Sequence, residues 1–170
     1  LVRQAMEDGA VGMSTALIYP PGSYAKTEQL IALCKVVAEY DGLYISHMRS
    51  EGFSIEAGLD EFLRTVREAG GRGEIYHLKL AGSDNWHKLD YVIETVEAAQ
   101  AAGLQITADM YNYEAGGTGL SSVIPPWYHD GGEEALRQRL RDRSLRPQII
   151  REMNEPSTKW ENLYIEVGTP

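Results

Sequence analysis

The chain has 170 residues, 43% hydrophobic and 24% charged, with a formal net charge of -9 at pH 7. That length suffices for one domain with its own core but falls short of the roughly 200 to 250 residues of a closed (β/α)8 barrel, and the composition excludes disordered and fibrous classes. No run of about 18 apolar residues is present to span a membrane, and Lys and Arg dispersed among Asp and Glu oppose a nucleic-acid partner. Cys34 is the single cysteine, so no disulfide forms within the chain, and a reducing cytoplasm is the expected setting.

In chain order, Leu1 to Asp8 reads as a helix under way and Val11 to Ser14 as a strand. Leu30, Ile31, Leu33, Val36 and Val37 share one face of a helix predicted over Thr27 to Tyr40. Asp41 and Gly42 break it, and a strand from Leu43 ends at Ser46 and His47. The same alternation repeats: a helix over about Ser54 to Ala69 precedes a strand over Glu74 to Tyr76, and a helix over about Trp86 to Ala102 precedes a strand over Leu104 to Ala108. Beyond Tyr111 come a Gly-rich loop, helices over about Glu133 to Arg143 and Leu145 to Met153, and a final strand expected over Asn162 to Val167. Units of about 25 to 35 residues predict βαβ crossovers and a parallel sheet, open or part of a barrel, with ligands at the C-terminal strand ends. A start inside a helix without Met and an end on an uncovered strand lead to the expectation of a piece of a longer protein, with open edges that favour a homo-oligomer.

His47, His77 and Asp109 terminate three successive predicted strands, which places them near one another in a parallel sheet. Two imidazoles on neighbouring strands can share a zinc or similar ion, with an open position for water; the alternative is a pair of strand-end histidines that fasten loops by hydrogen bonds. Arg49 and Lys79 follow the two histidines by two residues. On an extended chain they point to the same side, to hold a substrate carboxylate or to make ordinary ion pairs. Tyr19 stands in the stiff turn Ile18-Tyr19-Pro20-Pro21-Gly22, as a site residue or a structural one. His87 beside Trp86 and His129 after Tyr128 fit packing, capping or loop roles, and the run around Gly116, Gly117 and Gly119 lacks the spacing of a phosphate cradle.

Several segments resemble the N-acyl-D-amino-acid deacylase (D-aminoacylase) branch of the amidohydrolase superfamily, in matching order: Gly12 to Gly22, Tyr44 to Glu51, Ile75 to Lys79, and Thr107 to Tyr113, followed by Thr118-Gly119-Leu120 and Pro125-Pro126-Trp127. The resemblance implies an α/β fold in which residues 1–170 form part of a (β/α)8 TIM barrel, about strands four to eight, with outer helices. It implies zinc or a similar divalent metal held by His47 and His77, and a small-molecule N-acyl amino acid whose carboxylate end contacts Lys79 and Tyr19, with Tyr111 lining the same pocket and Arg49 a further substrate-binding candidate. The family's early HxH pair, bridging Cys and late Asp have no counterpart here. No catalytic residue is therefore assigned, and the chain alone is expected to be inactive. Other expectations are a piece of a cyclic-amide amidohydrolase, or a non-catalytic half barrel that self-associates.

Overall fold

A computed structural model describes residues 1–113 and 115–166. Its centre is a four-stranded parallel sheet in the order β1 (Gly12–Ala16), β2 (Leu43–His47), β3 (Arg72–Ile75), β4 (Gln105–Ala108). Helices α1 (Val2–Glu7), α2 (Thr27–Ala38), α3 (Ile55–Ala69) and α4 (Leu89–Ala101) alternate with the strands, as the periodicity predicts. Each strand pairs with its successor in sequence, so each crossover returns the chain to the neighbouring position.

Side-chain alternation gives the sheet two different faces. Tyr44, Ile75 and Ile106 belong to the main core with the helix residues Cys34, Leu59, Phe62, Val66, Val92 and Val96. Ile55, Leu59, Phe62, Leu63 and Val66 recur at helical spacing and are all buried, which makes α3 the helix most fully committed to this core. Tyr44 stacks on Phe62 with ring centroids 5.9 Å apart. Gly73 permits that packing: a Cβ there would lie 2.5 Å from Val66 Cγ2 and 2.8 Å from Phe62 Cζ. The helix stops at Gly70, whose φ of 68° is left-handed and whose N–H bonds back to Val66 and Arg67 carbonyls. By the same alternation, Ile45, His47, Glu74 and Thr107 lie on the other face.

The chain then builds a smaller cluster of Tyr128, Leu136 and Ile149 from a 3-10 turn, α5 (Glu133–Arg141) and α6 (Arg146–Met153). Three expectations are corrected. The third strand lies earlier than Glu74 to Tyr76, because the chain turns out of the sheet before His77. Ser83–Lys88 is a 3-10 helix, and α4 begins only at Leu89. The strand expected over Asn162 to Val167 is instead α7 (Leu163–Glu166), Val167 lying outside the described residues. Asn162 accounts for the difference: it is buried, its carbonyl accepts the Ile165 and Glu166 N–H groups, and its amide donates to the Met153 and Glu155 carbonyls. No fifth strand continues the sheet among the described residues.

Candidate metal centre

The register aligns the C-terminal strand ends, since Ala16 pairs with His47, Ser46 with Ile75 and Ile75 with Ala108. His47 is the last residue of β2. His77 lies just beyond β3 in a turn with φ 38°, a left-handed conformation that costs a non-glycine residue on the order of 1 kcal/mol. Asp109 holds this turn: one carboxylate oxygen accepts the His77 N–H at 2.5 Å, its carbonyl accepts the Leu78 N–H at 2.9 Å, and its own N–H donates to Ile75 O at 3.1 Å. Asp109 therefore fixes the backbone of one candidate ligand.

The two imidazoles meet edge to face, with centroids 4.6 Å apart and planes at 88°. Between them and Lys79 stands Glu51, which is 5% exposed. Its Oε1 lies 2.9 Å from His77 Nδ1 and 3.5 Å from His47 Nδ1, and Lys79 Nζ donates to its Oε2 at 2.6 Å. One ligand atom from each of His47, Glu51 and His77 falls within 4.8 Å of the other two, the spacing of a set that can share one ion. Burial pushes the His47 imidazole below its ordinary value, with the neighbouring His77 adding to the shift and Glu51 opposing it. That favours the neutral ring, the form that ligates a metal. The donor set fits a divalent cation.

Other candidates frame this cluster. The Tyr19 ring meets His47 edge-on at 5.5 Å, and its hydroxyl bonds Thr118 Oγ1 at 2.7 Å, tying the loop after β1 to the Gly-rich loop. Lys79 Nζ lies 2.8 Å from His77 Nδ1, donates to the His77 carbonyl at 3.1 Å, and sits 5.7 Å from the centroid of the Tyr111 ring. Tyr111 stacks in turn on Tyr113. Arg49 is not brought to the cluster. Its guanidinium grips Glu61 at 2.8 and 3.0 Å and donates to the Ser23 and Ala25 carbonyls, each at 2.8 Å. Its donors pin the loop before α2 to α3. His87 is exposed in the 3-10 helix, and His129 lines a small cleft that Trp160 also lines.

No protein-family model matches the chain. It is 38% identical over 120 residues to the D-aminoacylase of Alcaligenes xylosoxydans xylosoxydans, a match that takes 71% of this chain and 25% of the relative. It also superposes on the crystal structure of a D-aminoacylase described as defining a novel subset of amidohydrolases, with a TM-score of 0.64 and 36% identity over 67% of this chain and 24% of that one. The chain belongs to the D-aminoacylase branch of the amidohydrolases. The N-acyl-D-glutamate deacylase of Bordetella bronchiseptica, solved with zinc and a phosphonate mimic of the tetrahedral intermediate, matches at TM-score 0.60 and 34% identity over 65% of this chain and 25% of that one. The chain thus spans about a quarter of the length of the D-aminoacylase relatives it matches.

Glu51 lies within the D-aminoacylase-like segment Tyr44 to Glu51, and the sequence reading gives it no role. The available signal was a carboxylate four residues after a candidate ligand. Glu161 has no place in the sequence reading: its Oε1 accepts the Glu51 N–H at 2.6 Å from 110 positions away, which fixes the loop that carries the Glu51 carboxylate. Beside it, burial pushes the Glu166 carboxyl up to about 8, with the nearby Glu161 charge adding to the effect.

Proposed function

We propose that this chain supplies part of the catalytic site of a metal-dependent deacylase that cleaves the amide bond of N-acyl-D-amino acids, with β1 to β4 as strands four to seven of its TIM barrel. The observation that carries the reading is the convergence of His47, Glu51 and His77 at adjacent parallel strand ends, in a chain whose relatives are deacylases. His47 and His77 would hold zinc or a similar divalent ion, and the buried Glu51 offers a third oxygen donor. When bound there, such an ion would supply Lewis acidity and a lowered pKa for a nearby water.

The chain's own residues bind and orient the substrate. Lys79 donates to Glu51 and to His77, and the donor it spends on the His77 ring would be free for the substrate carboxylate once that ring ligates an ion; the Tyr111 ring beside it walls the same space, and Tyr19 lies against His47. Arg49 is assigned the loop it pins rather than the substrate, because Glu61 and two carbonyls occupy its donors. No helix is long and apolar enough to cross a membrane among the described residues. Burial pushes the lone Cys34 thiol up to about 12, away from thiolate reactivity, which is compatible with a cytoplasmic setting. The edges of β1 and β4 support self-association of the 170-residue chain, which light scattering would detect as a dimer or larger species.

Calorimetric titration with zinc tests the metal reading. One site is expected, weakened at least about 10-fold by His47→Ala or His77→Ala singly. Equal zinc binding by the unaltered chain and the double variant would refute it. Ligand-observed NMR should detect N-acetyl-D-leucine on the zinc-loaded chain and lose it with Lys79→Met.

A further inference from the structure

Beside Tyr128, at the surface of the smaller core cluster, lies a groove of about 410 Å³. It is bordered by the 3-10 turn Pro126–His129, the end of α6 and residues 155–160, and none of His47, Glu51, His77 or Lys79 lines it. Its walls are indoles. The Trp127 and Trp160 ring centroids stand 6.2 Å apart with their planes at 80°, so two aromatic rings meet at nearly a right angle. Trp127 is held by its edge: its Nε1–H donates to Glu152 Oε2 at 2.8 Å, and Gln148 Nε2 donates to the other oxygen of that carboxylate at 2.8 Å. The side chain is nevertheless 40% exposed, so part of a ring fixed in position stays open to solvent.

Two carboxylates border these rings. Glu152 accepts from the neutral donors of Trp127 and Gln148, which orient its charge without cancelling it. Glu155 reaches Arg151 only at 4.0 Å, with both side chains more than half exposed, a pairing that neutralises little. Lys159 is the one cation among the described lining residues, and the cation–ring contacts of the described residues, Arg3 on Tyr40 and Lys79 on Tyr111, do not include it. A primary ammonium is compact and strongly hydrated, so it gives up water reluctantly. An alkylated ammonium is larger and more weakly hydrated, and aromatic faces attract it, tryptophan most strongly. A hard inorganic ion would gain nothing from the indoles, since it takes oxygen ligands. We propose that this groove binds a small organic cation by an alkylated ammonium head, which Trp127 and Trp160 wall on two sides and Glu152 and Glu155 balance in charge.

The groove and the histidine cluster have no lining residue in common, so the inference stands apart from the deacylase reading. Choline titrated into the unaltered chain without zinc, at constant ionic strength, tests it. The readout is the indole N–H signals of Trp127 and Trp160 by NMR, assigned through Trp127→Phe and Trp160→Phe. Both signals should move along one saturable curve with a Kd in the millimolar range. Neohexanol, the uncharged carbon isostere of choline, should bind at least about 10-fold more weakly. Trp160→Leu should weaken choline binding at least about 10-fold, and Trp160→Phe should weaken it less. Glu155→Gln should weaken choline binding and Lys159→Gln strengthen it, each several-fold; both positions are exposed, so the charge variants keep the test readable if Trp160→Leu fails to fold. Equal affinity for choline and neohexanol would reduce the groove to an apolar surface, and indole signals that never saturate would leave no seat at all. Either result overturns the inference.

Discussion

Glu51 is the residue whose removal should disturb the site most. Glu51→Ala leaves the Lys79 ammonium, whose side chain is 25% exposed, against a histidine ring and a carbonyl with no anion in reach of its former 2.6 Å contact. Breaking a fully buried ion pair costs about 3–5 kcal/mol, and the water that reaches Lys79 reduces this to about 2–3 kcal/mol. For a domain of this length each kcal/mol is worth about 2–4 °C in Tm, so a fall of about 4–12 °C is expected. Circular dichroism melts at pH 7 on four proteins would read it: the unaltered chain, Glu51→Ala, Lys79→Met and the double variant. The double variant should be more stable than Glu51→Ala, because the orphaned charge has gone, and the cycle should return about 1 kcal/mol or more of coupling. Additive effects would show that the 2.6 Å contact carries no energy and that the argument from burial is wrong.

Asp109→Ala should lower zinc affinity about 10-fold by calorimetry while leaving the helical circular dichroism unchanged, since it releases the left-handed turn that aims His77 without removing a ligand. Glu166→Gln should flatten the alkaline side of the stability profile. A carboxyl raised to about 8 in the folded state binds its proton more tightly there than in the unfolded chain, so its contribution is fully present below about 4.5 and is lost as pH rises through about 8. Melts from pH 5 to 9 should show that loss in the parent chain and not in the variant.

The sheet was legible because its signals are local and repeated: each helix has its apolar face, each strand its short run, and parallel pairing then places His47 and His77 together without further information. Where the chain leaves the pleat, the two-residue rule stops being a guide. Arg49 and Lys79 occupy matching positions after their histidines, yet Arg49 follows the regular end of β2 and turns towards Glu61. Lys79 follows a left-handed residue that folds it back onto His77. Glu51 was hidden for a related reason: its burial depends on Glu161 and Lys79, contacts with no periodicity to announce them. The mistaken final strand had a readable warning, because Asn162 is an effective helix cap directly before the apolar run.

Charge links these details. The chain as a whole is anionic, at -9, and on that count alone an anionic ligand would be repelled. At the strand ends the balance is reversed. A divalent cation on the imidazoles, together with the Lys79 ammonium, would outweigh the single Glu51 carboxylate set between them. Glu51 would allow two centres of positive charge to lie this close, and the surplus would be neutralised by a ligand carrying one carboxylate. Replacing Lys79 should therefore weaken the binding of every N-acyl amino acid to the zinc-loaded chain, and an affinity left unchanged by Lys79→Met would show that the lysine carries none of that attraction.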